Sequence, residues 1–386
     1  MTATGERVHL NRAALAAIAS IFFLMGVVGS AYGPLLEHLS RHFGVSLAVA
    51  GGALSAHFLG ALVGVLVSMR VLQRVSSRAF VFGGLGFMGL GCAGVALAPS
   101  WPSFLAAVLV IGLGWGALDI GCNQLVAHSE GTRRTAALNA LNGSFAVGAV
   151  AGPILVSTFG RSHLSSLYGG IAVLAFVLYP LVARIRGRLP FLTERVAGRS
   201  TTLLGVFMVA FALYVGIEAG TGGWMPSHLE SNGVQSLAAA TFTSGFWLAL
   251  AAGRLFAALI PARVPERVTV IAGVAVAAIA LFSALNPAVA PFAYIVTGLA
   301  LAPIFPTGIV WMAKLRPGDA RATSWLFPAS MVGGAIVPGT IGAVIARFGI
   351  GWAPAVLSLV AVGCLAAFAV AASGSGRRAS GPQQLR

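Results

Sequence analysis

The sequence carries very little charge for its length. Only 9% of its 386 residues are Asp, Glu, Lys or Arg, against roughly 25% in an average soluble protein. Apolar residues make up 58% of the chain, and its mean hydropathy is +0.92. A soluble fold would leave much of this apolar surface in water. The composition therefore excludes a soluble domain and indicates a protein whose solvent is lipid.

Cysteine is also scarce, and the residue patterns of common enzymes are missing. Cys92, Cys122 and Cys364 lie far apart in apolar runs, so they predict neither a metal site nor a disulfide framework. The G-x-G-x-x-G pattern at positions 84–89 lies inside a continuous apolar run, without the strand and helix of a dinucleotide site. With no phosphate loop, zinc spacing or nucleophile elbow, we expect no enzyme activity, no cofactor and no metal.

The net charge of +15 could suggest a nucleic-acid partner. A nucleic-acid-binding protein, however, concentrates its basic residues on one face of a soluble module. Here they form short clusters between apolar runs, so we expect them to set membrane topology and expect no nucleic-acid partner. The expected partners are the lipid bilayer and a small-molecule substrate, with the chain itself a monomer.

Twelve apolar runs are long enough to cross a bilayer, which requires about 20 residues in a helix. They predict an all-α polytopic membrane protein with twelve transmembrane helices. Glycine pairs four residues apart, such as Gly60/Gly64 and Gly112/Gly116, predict close helix packing. The predicted spans are 13–36, 47–70, 79–98, 102–127, 136–159, 165–184, 201–226, 236–261, 268–286, 289–313, 322–345 and 350–373.

The distribution of basic residues tests this number of spans. Arg41, Arg161 and Arg347 follow odd-numbered spans and Arg254 lies within a span, whereas the other 20 of the 24 lie at the termini or after even-numbered spans. Because cytoplasmic loops carry an excess of Lys and Arg, both termini are predicted to be cytoplasmic. The location expected for such a chain is the inner membrane of a bacterial cell.

The two halves of the chain repeat each other. SFAVGAV at Ser144–Val150 is matched 186 residues later by SMVGGAI at Ser330–Ile336. The repeat predicts two six-helix pseudo-repeats, residues 1–184 and 201–373, joined by a basic cytoplasmic linker at 185–200. Residues 374–386 are expected to form a disordered tail. Transporters built from such repeats bind substrate between the halves near the bilayer midplane.

Four charged or histidine residues fall inside predicted spans, away from the span ends: His57, Asp119, Glu218 and Arg254. Each costs about 2.5–3.5 kcal/mol at the bilayer centre on insertion scales, so each is a candidate functional residue. His57 is interpreted as a hydrogen-bonded interior histidine. Counting from the span ends places Glu218 and Arg254 at different depths, which argues against a pair. A pair of Asp119 with Arg254 across the halves stays open.

Asp119 and Glu218 are the predicted proton-coupling residues. A carboxyl in a wet cavity walled by hydrocarbon can load and release a proton near neutral pH. The alternative is a buried carboxyl that ties two helices together. Asn123, one helical turn from Asp119, lies on the same helix face. Substrate contacts are predicted for Asn123, Gln124, Asn139, Asn142, Trp115, Trp247, Phe305 and Tyr32, and gating or ion-pair roles for Arg254, Arg133, Arg134 and Glu130.

Several segments resemble the major facilitator superfamily, most closely the branch of the fucose permease and the glucose–galactose transporters. The most specific is the acid-x-x-x-Asn spacing of Asp119 and Asn123. The segments that carry the resemblance are GLGWGALDIGCNQL (Gly112–Leu125), LNALNGSFAVGAVAGP (Leu138–Pro153), YVGIEAGTGGW (Tyr214–Trp224), FWLALAAGR (Phe246–Arg254) and GLALAPIFPT (Gly298–Thr307).

The resemblance implies a twelve-helix carrier whose fourth-span acid, here Asp119, takes part in proton coupling or substrate contact. Two features depart from the branch. The first span has no acid, since Glu37 lies at the external mouth, and Glu218 of the equivalent seventh span is a possible substitute. The loop after the second span keeps its arginines but lacks the family's Asp.

The sequence thus predicts a secondary active transporter that works by alternating access. The leading hypothesis is cation-coupled uptake of a sugar or similar small polar solute, with H⁺ as the expected ion and Na⁺ as the alternative. A proton-coupled efflux antiporter for drugs or metabolites shares the same fold and needs the same acids. A membrane receptor or scaffold that transports nothing is a third alternative.

Overall fold

The chain folds as a bundle of long apolar helices. The computed structural model describes residues 8, 10–129, 134–160, 163–188, 201–257, 263–317 and 319–379. Within these residues, twelve helices are long and apolar enough to cross a membrane, as predicted. They are α1 Arg12–Phe43, α2 Leu47–Val71, α3 Ser77–Ala96, α4 Trp101–Ala127, α5 Ala137–Phe159, α6 Leu164–Val182, α7 Thr202–Ser231, α8 Ser236–Phe256, α9 Glu266–Ser283, α10 Ala290–Leu315, α11 Ala322–Phe348 and α12 Ile350–Ser373.

Local sequence signals explain where several helices begin and end. The side chains of Asn11, Ser46 and Asp319 accept hydrogen bonds from backbone N–H groups of the first turns of α1, α2 and α11, which otherwise lack partners. Gly44 ends α1 in the left-handed conformation, at φ 64°, which glycine adopts without steric cost. Helix continues past α12 as far as Ala379.

The helices form two groups of six with the same internal packing. In the N-terminal half, α1 packs on α5, α2 on α4, and α3 on both α4 and α6. In the C-terminal half, α7 packs on α11, α8 on α10, and α9 on both α10 and α12. Each pair in one half thus recurs six helices later, which confirms the two pseudo-repeats. Residues 189–200 of the predicted linker lie outside the described residues.

Glycine allows the closest of these approaches. A Cβ at Gly60 or Gly64 of α2 would overlap the backbone of α4, and one at Gly112 or Gly116 of α4 would overlap that of α2. The predicted packing role of these small residues is confirmed. Dispersion and backbone contact replace the hydrophobic effect as the source of helix association in lipid.

The two halves meet along a contact surface that we call the seam. It consists of the pairs α1–α7, α2–α11 and α5–α8. Gly33 lies against the backbone of Gly222, and Ser244 of α8 donates a hydrogen bond to the carbonyl oxygen of Val150 in α5 at 2.7 Å. These contacts lie in the C-terminal halves of α1, α5 and α7 and in the N-terminal half of α8. The seam therefore closes the end of the bundle that the charge pattern predicts to be external.

Trp224 belongs to the seam. The predicted seventh span, 201–226, ends just after this residue and so predicts that it lies near a membrane interface, where tryptophans often anchor a helix, but its side chain is fully buried. Its indole N–H donates to the carbonyl oxygen of Pro338 at 3.1 Å, and its ring packs on Gly51 of the opposite half. An interfacial role is therefore wrong for this residue, because its ring fills the space left by a glycine between the halves.

Candidate functional site

Asp119 lies in the C-terminal half of the long helix α4, eight residues before its end at Ala127, and Asn123 follows it by one turn. The Asn123 amide donates to the Asp119 carboxylate at 3.3 Å and to the Asp119 carbonyl oxygen at 2.9 Å. Both side chains are partly buried and retain some accessible surface. The predicted pair therefore exists on one face of α4, and the amide supplies a donor to the carboxylate.

Gln124 does not belong to this face. Residues five apart on an α-helix differ by about 140° in direction, since each residue adds about 100°. Gln124 is five residues from Asp119, and the His128 ring lies 2.9 Å from its backbone carbonyl oxygen. A contact of Gln124 with a ligand held at Asp119 is therefore disfavoured by the geometry.

Glu218 of α7 is held by two side chains of its own half. Its carboxylate lies 3.6 Å from the Arg254 guanidinium of α8 and accepts a hydrogen bond of 2.5 Å from the Tyr214 hydroxyl. The expectation that depth would keep Glu218 and Arg254 apart is wrong. The helix runs to Ser231 rather than to 226, so Glu218 lies about 20 Å from its end, near the middle of the span.

Arg254 also faces the other half of the bundle. Its guanidinium interacts electrostatically with Asp119 as well as with Glu218. The side chains of Arg254 and Glu218 keep 33% and 17% of their surface exposed, although they lie within membrane-spanning helices. One cation is thus paired with a carboxylate of its own half and lies close enough to a carboxylate of the other half to interact with it electrostatically.

Trp247 of α8 lies between the charged cluster of Arg254, Glu218 and Asp119 and the seam. It precedes Arg254 by seven residues, so both side chains lie on the same face of α8. Its ring packs on Gly222, one turn beyond Glu218 in α7. The indole nitrogen is buried and has no hydrogen-bond partner among the described residues. The predicted substrate residue therefore lies beside the charged cluster with a free donor.

Phe305 of α10 packs beside the Tyr214 ring of α7. Its ring centroid is 6.0 Å from that of Tyr214 and 5.7 Å from that of Phe327 in α11. Phe327 in turn packs on a small apolar cluster that joins the halves, formed by Ala61, Val65, Ile120 and Met331 and bordered by Phe58, Leu62 and Trp115. An aromatic and apolar wall thus runs beside the polar groups from one half to the other.

Trp115 contributes to this wall through its ring and not through its nitrogen. Trp115 lies one turn before Asp119 on α4. Its indole N–H donates to the Met25 carbonyl oxygen of α1 at 3.2 Å. The ring also packs edge-on against His57, with centroids 5.5 Å apart. Because the donor is engaged, a ligand near Asp119 can meet only the face or edge of this indole.

Asn139 and Asn142 lie on α5 with exposed side chains. One side of α5, marked by Phe145 and Gly148, packs on α1, and another side, marked by Val150, meets α8. By helix geometry, the Asn142 side chain points between these two sides. Asn139 points close to the direction of Val150. Both amides precede Val150 by two to three turns, away from the seam, where they can reach the space between the halves.

Tyr32 is not available to a ligand in this structure. Its side chain is 1% exposed, and its hydroxyl lies 3.1 Å from Nδ1 of His57. His57 is itself buried, at 2% exposure, which agrees with its interpretation as a hydrogen-bonded interior histidine. The predicted substrate role of Tyr32 is therefore contradicted by its burial against α2, and the pair instead ties α1 to α2.

Three of the predicted gating residues cannot be compared with the structure. Glu130 and Arg133 lie outside the described residues, and for Arg134 only the helical backbone is described. Their roles stay predictions. Arg254 differs, because its ion pair with Glu218 is present.

Tyr214 and Phe327 are the site residues that the sequence did not single out. Tyr214 precedes Glu218 by four residues, a spacing that places both on one helix face, so this contact could have been predicted. Phe327 gave no such signal, since one phenylalanine among the chain's 23 looks like any other lipid-facing or core ring. Only the packing of α11 against α2 and α10 distinguishes it.

The twelve-helix pseudo-repeat and its charged interior define a membrane transporter without enzyme chemistry. The family profile of the Major Facilitator Superfamily matches residues 18–285, and the chain belongs to this superfamily. No curated protein matches the chain by sequence. It is a multi-pass membrane protein and a secondary transporter.

Solved structures of other transporters share the fold. The D-xylose–proton symporter superposes with a TM-score of 0.77 at 14% identity, over 92% of this chain and 96% of its own. A point mutant of the nucleoside transporter NupG gives 0.74 at 15% identity, over 93% and 99%. FucP in the outward conformation gives 0.62 at 18% identity, over 93% and 99%.

These similarities do not single out one branch of the superfamily. FucP is one of several structural neighbours, beside nucleoside, sugar and peptide transporters. At such low identities the likeness establishes the fold alone. The resemblance to the fucose permease branch therefore stays a prediction that rests on Asp119, Asn123 and the segments around them.

Proposed function

We propose that this transporter couples the uptake of a sugar or similar small polar solute to a proton, in the inner membrane of the cell, with both termini cytoplasmic. The observation that carries the proposal is the ion pair of Arg254 with Glu218 of its own half, together with the electrostatic interaction of the same guanidinium with Asp119 of the other half. Neutralising one carboxylate changes the attraction between the halves, so proton binding is tied to their relative position.

Asp119 is the proposed proton carrier of the two acids. Glu218 already holds Arg254 and accepts the hydrogen bond of Tyr214, so protonation there would break a formed ion pair. Asp119 interacts with Arg254 from the opposite half and is hydrogen-bonded by one amide. Loading a proton on Asp119 therefore releases the inter-half attraction while leaving the pair in the C-terminal half intact.

The lining supports a polar solute with an apolar face. Asn123 and Asn142 offer hydrogen-bonding groups, and the indole N–H of Trp247 next to them is buried without a partner among the described residues. Phe305 and Trp115 present rings beside them. A sugar ring combines these needs, because its hydroxyl groups bind polar side chains while its C–H face packs on an aromatic ring.

Transport by purified protein in proteoliposomes tests the proposal. A panel of labelled monosaccharides is offered with and without an imposed proton gradient, acidic outside. We expect one or more sugars to accumulate only with the gradient. The Asp119→Asn variant should lose accumulation but keep counterflow, in which labelled solute exchanges for unlabelled solute. Glu266→Gln, in a pair with Lys314 at the edge of the bundle, is the control that should keep both.

The outcome also distinguishes the alternative of efflux. Accumulation of cationic drugs driven by the opposite gradient would show that the protein is a proton-coupled antiporter and not an uptake system. Unaltered uphill uptake in Asp119→Asn would contradict the role given to this carboxylate.

A further inference from the structure

A groove on the outer surface of the C-terminal half lies where α9 begins and α12 ends. Its volume is about 590 Å³, and it is lined by Arg267, Val268, Ile271, Ala272, Ala372 and Ser373. Helix α9 packs on α10 and α12, and Val268 is 48% exposed. The groove therefore opens to the side of the bundle, where acyl chains lie, and not to the space between the halves.

The two helices are joined further along and leave the groove near their ends. Ser358 of α12 donates to the Ala278 carbonyl oxygen of α9 at 3.0 Å. Arg267 lies eleven residues before Ala278, about 16 Å along the helix. Between this hydrogen bond and Arg267, the small side chains of Ala272 and Ala372 leave space between α9 and α12. An acyl chain fits this open apolar channel.

The mouth of the groove is positively charged. Arg267 is exposed in the first turn of α9, and Arg263 is exposed just before it. The neighbouring carboxylate of Glu266 is engaged by Lys314 of α10, so it is already neutralised. The charge pattern predicts that this end faces the cytoplasm, where anionic lipid headgroups attract Lys and Arg by about 1 kcal/mol each.

We propose that this groove binds an anionic phospholipid, with the phosphate at Arg267 and one acyl chain between α9 and α12. Arginine suits this position, because its apolar stem lies along the helix while its guanidinium reaches the headgroup level. A phospholipid explains both features of the groove at once. A free phosphate ion would use Arg267 and leave the apolar channel unexplained.

Native mass spectrometry of the full-length protein tests this proposal. Phosphatidylglycerol and phosphatidylcholine with the same acyl chains are titrated separately, and the first retained lipid is quantified. We expect phosphatidylglycerol to bind more tightly. Arg267→Gln should weaken it roughly fivefold and reduce the preference for phosphatidylglycerol over phosphatidylcholine. Ala272→Trp, which fills the channel, should weaken both lipids.

The matched control is Arg78→Gln. Arg78 is exposed and is the second residue of α3, as Arg267 is of α9 in the other half, but it does not line the groove. Unchanged phosphatidylglycerol affinity in Arg267→Gln would overturn the proposal, and so would an equal loss in Arg78→Gln, which would show unspecific charge attraction. Displacement of the lipid by inorganic phosphate would instead identify a simple anion site.

Discussion

Arg254 of α8 forms an ion pair with Glu218 of α7, with 3.6 Å between Nη2 and Oε2. The pair lies within one half of the bundle, yet the same guanidinium acts electrostatically on Asp119 of the other half. The cluster of Arg254, Glu218 and Asp119 carries one net negative charge when both acids are ionised. Binding one proton makes it neutral, which fits the proposed coupling of one proton to a neutral solute.

The first prediction concerns the energetics of this pair. Glu218→Gln should destabilise the protein by about 1–2 kcal/mol, because it removes the carboxylate that pairs directly with Arg254. Loss of one partner costs about 3–5 kcal/mol in a fully buried pair, and the exposed fractions of 33% and 17% reduce that cost. Thermal unfolding in detergent measures the change.

Two further variants decide whether the pair explains the loss. The double variant Glu218→Gln/Arg254→Gln should be more stable than Glu218→Gln alone, since it removes the unpaired charge. Glu266→Gln breaks an exposed pair with Lys314 and should cost less than about 1 kcal/mol. A double variant that is less stable than Glu218→Gln would contradict this account.

The sequence predicted the fold better than the site for a physical reason. Hydropathy and charge patterns reflect the transfer of each helix into lipid, so they predicted the twelve spans, and the repeated segments SFAVGAV and SMVGGAI predicted the pseudo-repeat. They do not fix where a helix ends beyond the bilayer. Helix α7 extends to Ser231, five residues beyond the prediction, and this error contributed to placing Glu218 and Arg254 at different depths.

Contacts between the halves were even less predictable. The seam depends on which glycine meets which bulky side chain, as when Gly51 accommodates the ring of Trp224. A glycine in an apolar helix predicts close packing but does not name its partner. The same limit explains Tyr32, a polar side chain in a span that proved to be buried against His57.

The second prediction tests the seam. A Cβ at Gly334 of α11 would overlap the Phe58 ring of α2 across the halves. Gly334→Ala should therefore destabilise the arrangement in which the seam is closed by about 1–3 kcal/mol. The reporter is a cysteine at Leu54, which is 3% exposed and packs against Gly223 of the other half. We expect at least about fivefold faster labelling of this cysteine by a polar thiol reagent.

Gly205→Ala is the control for that experiment, because a Cβ there would meet open space. The native cysteines are all buried, so background labelling should be low. Gly51→Ala, which would overlap Trp224, should act as Gly334→Ala does. If neither variant changes the labelling of Leu54→Cys, the glycines do not determine which end is closed.

The third prediction concerns the hydrogen bond between α8 and α5. Ser244 donates to the Val150 carbonyl oxygen at 2.7 Å, and Ser244→Ala removes it. The loss should weaken the closed seam by about 1 kcal/mol, which corresponds to roughly fivefold faster labelling at Leu54→Cys. Ser330→Ala is the matched control, since its buried hydroxyl bonds to Leu326 of its own helix. Equal effects of the two substitutions would assign the change to helix stability and not to the seam.

The fourth prediction uses the free donor of Trp247. Its buried indole N–H has no partner among the described residues, and an unpaired buried donor costs about 1–3 kcal/mol. If a substrate oxygen accepts from this N–H, Trp247→Phe should weaken substrate binding by roughly three- to tenfold while the unbound protein becomes no less stable. Binding measured by counterflow, together with thermal unfolding, separates these effects. Trp311→Phe, in an aromatic cluster with Phe207 and Phe368, should leave binding unchanged. Unaltered affinity in Trp247→Phe would show that the ring packs on Gly222 without contacting the substrate.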